Sequence, residues 1–196
     1  MLSYIRSLVP MLVLVLVFMP SKVTRAGEDF DFGAIWAEYE NISYYVKELG
    51  YTRLIAGTDG DGSRVQVCAM NLGYDPGIYR SLHIGRLKNE ICDVAWQGKV
   101  HASSDHVVLL VLPNGVTWKP ASKLTEEAIT WNGVAVGFEQ FRDEAETPLY
   151  VCGGFHPYKK EYAVGTYNNK TSTCSLVDGG KAFKVTRKEK FQILMH

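Results

Sequence analysis

The chain repeats itself. Trp36 and Trp118 stand 82 positions apart, Cys68 and Cys152 84 apart, Cys92 and Cys174 82 apart, and Lys99 and Lys181 82 apart. A shared offset constrains the fold more than any single motif, because two copies of one unit pack as a related pair. The sequences around the landmarks agree as well. VQVC ends at Cys68 and LYVC at Cys152, while CDVAWQGK runs from Cys92 to Lys99 and CSLVDGGK from Cys174 to Lys181. Apolar runs close each copy, HVVLLVL from His106 and FQILM from Phe191.

Inside a copy the hydrophobic period is two. Val65 and Val67 flank Gln66, and Leu149 and Val151 flank Tyr150, with turn-forming stretches between runs at Asp59–Ser63, Asp75–Gly77 and Asp178–Gly180. This predicts an all-β, antiparallel protein of sandwich- or prism-like form, built from two tandem repeats related by a pseudo-twofold axis. One stretch departs from that pattern. Phe32, Ile35, Trp36, Tyr39, Ile42, Val46 and Leu49 recur at helical spacing and predict a short N-terminal helix over Phe32–Leu49. The stretch after Trp118 lacks that spacing, so no helix is expected in the second copy.

Residues 1–26 read as a signal peptide. Arg6 precedes an apolar run from Leu8 to Met19, shorter than the roughly 20 residues a spanning helix needs, and Thr24 and Ala26 fit a cut before Gly27. The units are then 27–114 and 115–196. No second apolar run reads as a membrane span, so the mature form is expected to lack one. The full chain balances 21 basic against 21 acidic groups, but residues 27–150 hold 10 basic and 18 acidic, and residues 151–196 hold 8 and 3. The basic end, with Lys181, Lys184, Arg187, Lys188 and Lys190, reads as a solvated strand face or as a contact for an acidic partner. The overall balance argues against a nucleic-acid partner.

Four cysteines in an exported chain suggest two disulfides, and equivalence of the copies makes Cys68 with Cys92 and Cys152 with Cys174 the simplest of three pairings. Sequons at Asn41 and Asn169 offer glycosylation sites. No cofactor or metal is expected. The stretch from Asp59 lacks the ligands of a calcium loop, no C-x-x-C is present, and His101 and His106 read as solvent-facing histidines. No nucleophile elbow, zinc-protease helix or phosphate loop occurs, so no catalytic residue is assigned and the chain reads as non-enzymatic.

The order W-x-P-A-S at Trp118–Ser122, Gly133–Gly137, E-T-P-L-Y-V-C at Glu146–Cys152 and C-x(5)-G-K at Cys174–Lys181 resembles the DM-nine repeat family. The first copy resembles it through Ala56–Gly62, Val65–Cys68, Pro76-Gly77 and Cys92–Lys99. The resemblance implies an all-β pair of repeats that admits a homodimer. It further implies mannose-type glycan recognition, as in innate-immunity lectins of the family, or, as in related secreted proteins, an effector role in saliva or haemolymph against a secreted or cell-surface protein. Carried onto this chain, the acidic ligand position falls on Asp59 and on Asp143, or else Glu139, and the lysine position falls on Ile78 and Thr166. The G-K run falls on Lys99 with His101, and on Lys181. Read on their own, Asp59 and Asp61 fit aspartates bonding their own turn, Lys99 and Lys181 fit either a turn or a ligand contact, and Trp96 fits a core aromatic.

Overall fold

The computed structural model describes residues 33–72, 78–141, 145–155 and 161–196, with backbone alone at 78–81 and at 140–141. The expected signal peptide, the turn at Asp75–Gly77 and Asp143 lie outside the described residues. In the first copy the strands are β1 (Ala34–Glu38), β2 (Thr52–Arg53), β3 (Ile55–Thr58), β4 (Arg64–Asn71), β5 (Ile78–Lys88), β6 (Ile91–Trp96), β7 (Lys99–Ser103) and β8 (Val107–Val111). The second copy holds β9 (Thr117–Pro120), β10 (Ala135–Phe141), β11 (Thr147–Phe155), β12 (Tyr162–Asn168), β13 (Thr173–Asp178), β14 (Lys181–Val185) and β15 (Gln192–Met195). Helices α1 (Ile42–Leu49) and α2 (Glu126–Asn132) follow β1 and β9. Every described ladder is antiparallel.

The copies share their registers as well as their element order. Cys68 faces Gly85 across β4–β5, and Cys152 faces Gly165 across β11–β12. Gly85 then faces Val94 as Gly165 faces Leu176. Even the irregularity recurs, with a bulge between Ile55 and Gly57 against β4 and between Ala135 and Gly137 against β11. Two similar antiparallel sheets therefore make the fold, and β10 pairs with the start of β5 to join them.

Each glycine at the middle of this register has a steric task. A Cβ on Gly85 would collide with the carbonyl of Asp93, and a Cβ on Gly165 with that of Ser175. The disulfides explain the crowding. Cys68 bonds Cys92 and Cys152 bonds Cys174, with Cα–Cα distances of 6.0 and 6.2 Å. Each bond links the two strands that flank β5 or β12. Strands two apart in a flat sheet stand about 9.5 Å from one another, so both sheets curl sharply about the glycine strand.

The interior divides into three clusters. One belongs to the first copy, around Cys68, Val94, Val108 and Leu110, and one to the second, around Tyr150, Cys152, Phe191 and Ile193. The third is shared: Val65, Val67, Ile84 and Leu109 pack with Val134, Leu149, Val151, Val164 and Leu194. Each copy thus completes its burial on the other, which is how a half-length β unit gains enough core. At the centre the Thr166 hydroxyl accepts from the Ile84 N–H at 2.7 Å and lies 3.4 Å from the Ile84 carbonyl, tying β12 to β5.

Two local expectations change. The predicted helix begins only at Ile42, because Ala34–Glu38 pairs with Val111–Val107 of β8 and Trp36 donates its indole N–H to the Ala135 carbonyl at 2.9 Å. Tertiary pairing here outweighs a helical spacing of apolar residues. The second copy has its helix after all. Thr125 caps α2 by accepting from the Ala128 N–H at 3.1 Å, and Glu126 and Glu127 lie at its positive end. Its signal was the cap, since Ile129 is its buried residue.

Candidate functional site

Asp59 follows β3 and opens a tight turn. Its N–H donates to Ser63 O at 2.8 Å, its Oδ1 accepts from the Gly60 N–H at 3.1 Å, and Asp61 Oδ1 accepts from the Ser63 N–H at 2.9 Å. One oxygen of each aspartate therefore shapes the turn, while the other meets cations. Lys88, at the end of β5, donates to Asp59 Oδ2 and to Asp61 Oδ2, both at 2.8 Å. Arg86 donates to Asp59 Oδ2 at 3.2 Å and to Asp178 Oδ1 at 3.4 Å. Asp93 lies 3.9 Å from Arg86 Nε. The network joins the two copies, because Asp178 ends β13.

Exposure grades outward across this network. The Asp178 side chain is 3% exposed and Arg86 10%, whereas Lys88 is 38% and Asp61 55% exposed. The inner ions orient the outer pair. The Asp59 carboxyl is held below its ordinary range, chiefly by the Lys88 hydrogen bond and against the opposing effect of burial. Lys88 is held above its ordinary range by the bonds to Asp59 and Asp61. The network's contribution to stability is thus present above the unfolded aspartate pKa and lost as pH falls through the lowered Asp59 value. At the alkaline end it is present below the unfolded lysine pKa and lost as pH rises through the raised Lys88 value.

Glu161 stands beside the same turn, with its carboxylate where a Cβ on Gly60 would project. Oxygens of Asp59, Glu161 and Asp178 lie within 4.8 Å of one another, a grouping absent from the sequence reading. Arg86 and Lys88 already supply positive charge to two of these carboxylates.

A second, differently furnished group occupies the equivalent place in the other copy. The register that equates Gly57 with Gly137 equates Asp59 with Glu139, and Gly85 with Gly165 equates Arg86 with Thr166. Glu139 Oε1 accepts from the Trp96 indole N–H at 3.3 Å, and its Oε2 accepts from Asn168 Nδ2 at 3.1 Å. His83 Nε2 lies 4.0 Å from Glu139 Oε1. Trp96 is 9% exposed, and its ring centroid is 5.7 Å from that of His83 and 5.5 Å from that of His101. This group too draws on both copies.

Of the residues singled out in sequence, Lys99 and Lys181 are exposed and open β7 and β14 after two-residue turns with positive φ, Gln97-Gly98 and Gly179-Gly180. Register places Lys181 opposite Asp178, at the Asp59 network, and Lys99 opposite Trp96, at the Glu139 group. The structure consequently groups Asp59 with residues of the second copy rather than with Lys99 and His101. His101 is half-buried against Trp96, and both ring nitrogens of His106 are buried, so neither is the solvent-facing histidine expected. Of the two lysine positions, Thr166 carries the hydroxyl tie to Ile84, and the side chain of Ile78 lies outside the described residues. Asn41 is exposed and Asn169 half-buried, the latter accepting from the Tyr167 hydroxyl at 3.3 Å. Sequence reasoning missed Arg86 and Lys88, which carried no motif.

His83 supplies a pH prediction. Burial pushes its imidazole down to about 3, with the nearby His101 acting in the same direction. The unfolded chain then binds a proton that the folded chain refuses between pH 6.5 and 3, so stability falls on acidification across that window. The expected loss from this group is about 2 kcal/mol by pH 5. Urea unfolding at pH 7 and 5 checks it: His83→Phe is expected to reduce the difference, and an unchanged difference would contradict the assignment.

No family model matches the chain, and no curated protein does. Among solved structures the chain is similar to the crystal structure of the nematode sperm cell motility protein MFP2B, with 15% identity and a TM-score of 0.49, over 74% of this chain and 40% of that one. The chain therefore spans less than half the length of that neighbour. No helix among the described residues is long and apolar enough to cross a membrane. The two disulfides are consistent with an extracellular protein.

Proposed function

We propose that the chain is a secreted, non-enzymatic binding protein of the DM-nine type that recognises mannose-type glycans at the Asp59 network, in innate immunity or host–microbe contact. The observation that carries this reading is the exposed Lys88–Asp61 pair, held from behind by Asp59 and Arg86. Sugar hydroxyls both donate and accept, and binding them against water needs charged partners already fixed in place. Lys88 supplies the donor and Asp61 the acceptor, while Asp59 acts as a positioning residue whose own carboxylate is largely covered. Lys181 stands at the same rim. The Glu139 group with Lys99 and His101 forms the second candidate place.

A glycan array of the secreted protein tests the reading. Mannose-type signal that disappears in Asp59→Ala is the expected result, with the array repeated at higher salt to remove non-specific attraction. A blank array from folded protein would overturn it. A second reading, a secreted effector that binds a protein and no longer binds sugar, is favoured by the exposed aromatics Trp131 and Phe155, at 67% and 66% exposure. Capture of a single protein from the native fluid beside a blank array is its expected outcome.

A further inference from the structure

The basic end of the chain folds onto cations from elsewhere. Lys188–Lys190 forms a short 3-10 turn that packs against another, Ala121–Lys123. Backbone bonds lock both in place: the Ala121 N–H donates to Phe191 O at 3.1 Å, the Lys190 N–H to Arg187 O at 2.9 Å, and Gln192 pairs with Pro120. This brings Arg187, Lys188 and Lys190 to the segment that carries Lys119 and Lys123. Lys119, Lys123, Arg187 and Lys190 are exposed and Lys188 is half-buried. Among the described residues none of the five has a carboxylate at ion-pair distance, and Glu189 is the one acid between Arg187 and Lys190. The described lysine and arginine ion pairs gather at the Asp59 network instead.

Five cations without an ion pair among the described residues, on two anchored turns and the adjoining end of β9, in a chain whose other copy is acidic, make a surface suited to a polyanion. The residues' chemistry narrows the class. No exposed large apolar side chain belongs to either segment, so the patch lacks the wedge by which amphipathic surfaces enter a membrane and the aromatic platform on which single-stranded nucleic acid stacks. The run Thr186-Arg-Lys-Glu-Lys190 places two cations together and a third one residue on, a short basic cluster of the kind that binds heparin-like chains. We infer that the face formed by Lys119, Lys123, Arg187, Lys188 and Lys190 docks a sulfated polysaccharide of the heparin class. This face takes no part in the Asp59 network, and the inference stands apart from the mannose reading.

Chromatography of the full secreted protein on immobilised heparin tests it, beside a sulfopropyl matrix of equal charge density. The protein is expected to elute from heparin at higher salt than from the sulfopropyl matrix. Each cation at an anionic surface is worth about fivefold in affinity, so Arg187→Ser with Lys190→Ser is expected to weaken heparin binding about 25-fold. The single change Lys123→Ser, at an exposed position on the other turn, is expected to weaken it about fivefold. Asp59→Ala is expected to bind heparin unchanged, which separates this site from the mannose reading. Equal elution from both matrices, heparin binding unaltered in the Ser variants, or retention on phosphatidylserine vesicles without retention on heparin would overturn the inference.

Discussion

Arg86→Ala is expected to destabilise the fold by about 3–5 kcal/mol, the usual cost of removing one member of a buried ion pair. The guanidinium is 10% exposed and serves Asp59 and Asp178 directly, with Asp93 close by. Its loss takes the guanidinium away from the Asp178 carboxylate, 3% exposed, in a medium that solvates charge poorly. Urea denaturation at pH 7 measures the effect. The paired change Arg86→Met with Asp178→Leu is expected to recover much of the loss, because apolar replacements of similar volume remove both buried charges together. A single substitution costing less than about 1 kcal/mol, the worth of a surface pair, would show that the network is solvated rather than packed at the junction of the copies.

Gly85→Ala and Gly165→Ala are expected to have effects at least as large. Each new Cβ would meet a main-chain carbonyl, Asp93 O or Ser175 O, which cannot turn aside as a side chain can. Relief requires opening the curl that the neighbouring disulfide holds at a Cα–Cα distance of 6.0 or 6.2 Å. A cost above about 4 kcal/mol, in the rare upper range for point changes, is expected at either position. Thermal unfolding of the two variants checks it. Because the glycines are equivalent, their effects should be similar, and a neutral result at either would contradict the shared register.

The repeat and its strands were legible because the landmarks are residue types with few substitutes in their places. Cysteines bridge across β5 and β12, and glycines supply positive φ at the turns before Lys99 and Lys181. Helix α2 was not legible from hydrophobic spacing, since its signal is a threonine cap followed by two glutamates, and β1 was masked by an apolar spacing that suits a helix equally well. At the site, Asp59 stood out through its glycine-rich turn. Its counterpart Glu139 stood only as the alternative to Asp143, for a physical reason. The offset between copies is 84 at the first cysteine, yet strand register sets it at 80 for Gly57 and Gly137 and again for Gly85 and Gly165. Gly57 pairs with Val65 eight positions on, whereas Gly137 pairs with Leu149 twelve positions on, so a constant offset points toward Asp143 while the register reaches Glu139. Arg86 and Asp178 lie 92 positions apart and meet through packing of one copy on the other, which no local motif announces.

On the proposed glycan-binding reading, a sugar is held at the junction of the copies by the outward pair Lys88 and Asp61. Calorimetric titration with a mannose-type oligosaccharide, comparing the unaltered protein with Lys88→Met, tests it most directly. Lys88 is partly exposed, so the variant is expected to keep its fold, as its near-UV circular dichroism would show. Loss of a charge-assisted hydrogen bond is expected to weaken binding about tenfold or more. Equal affinity in the two proteins, or no heat of binding from the unaltered one, would rule out a sugar held by Lys88 and Asp61.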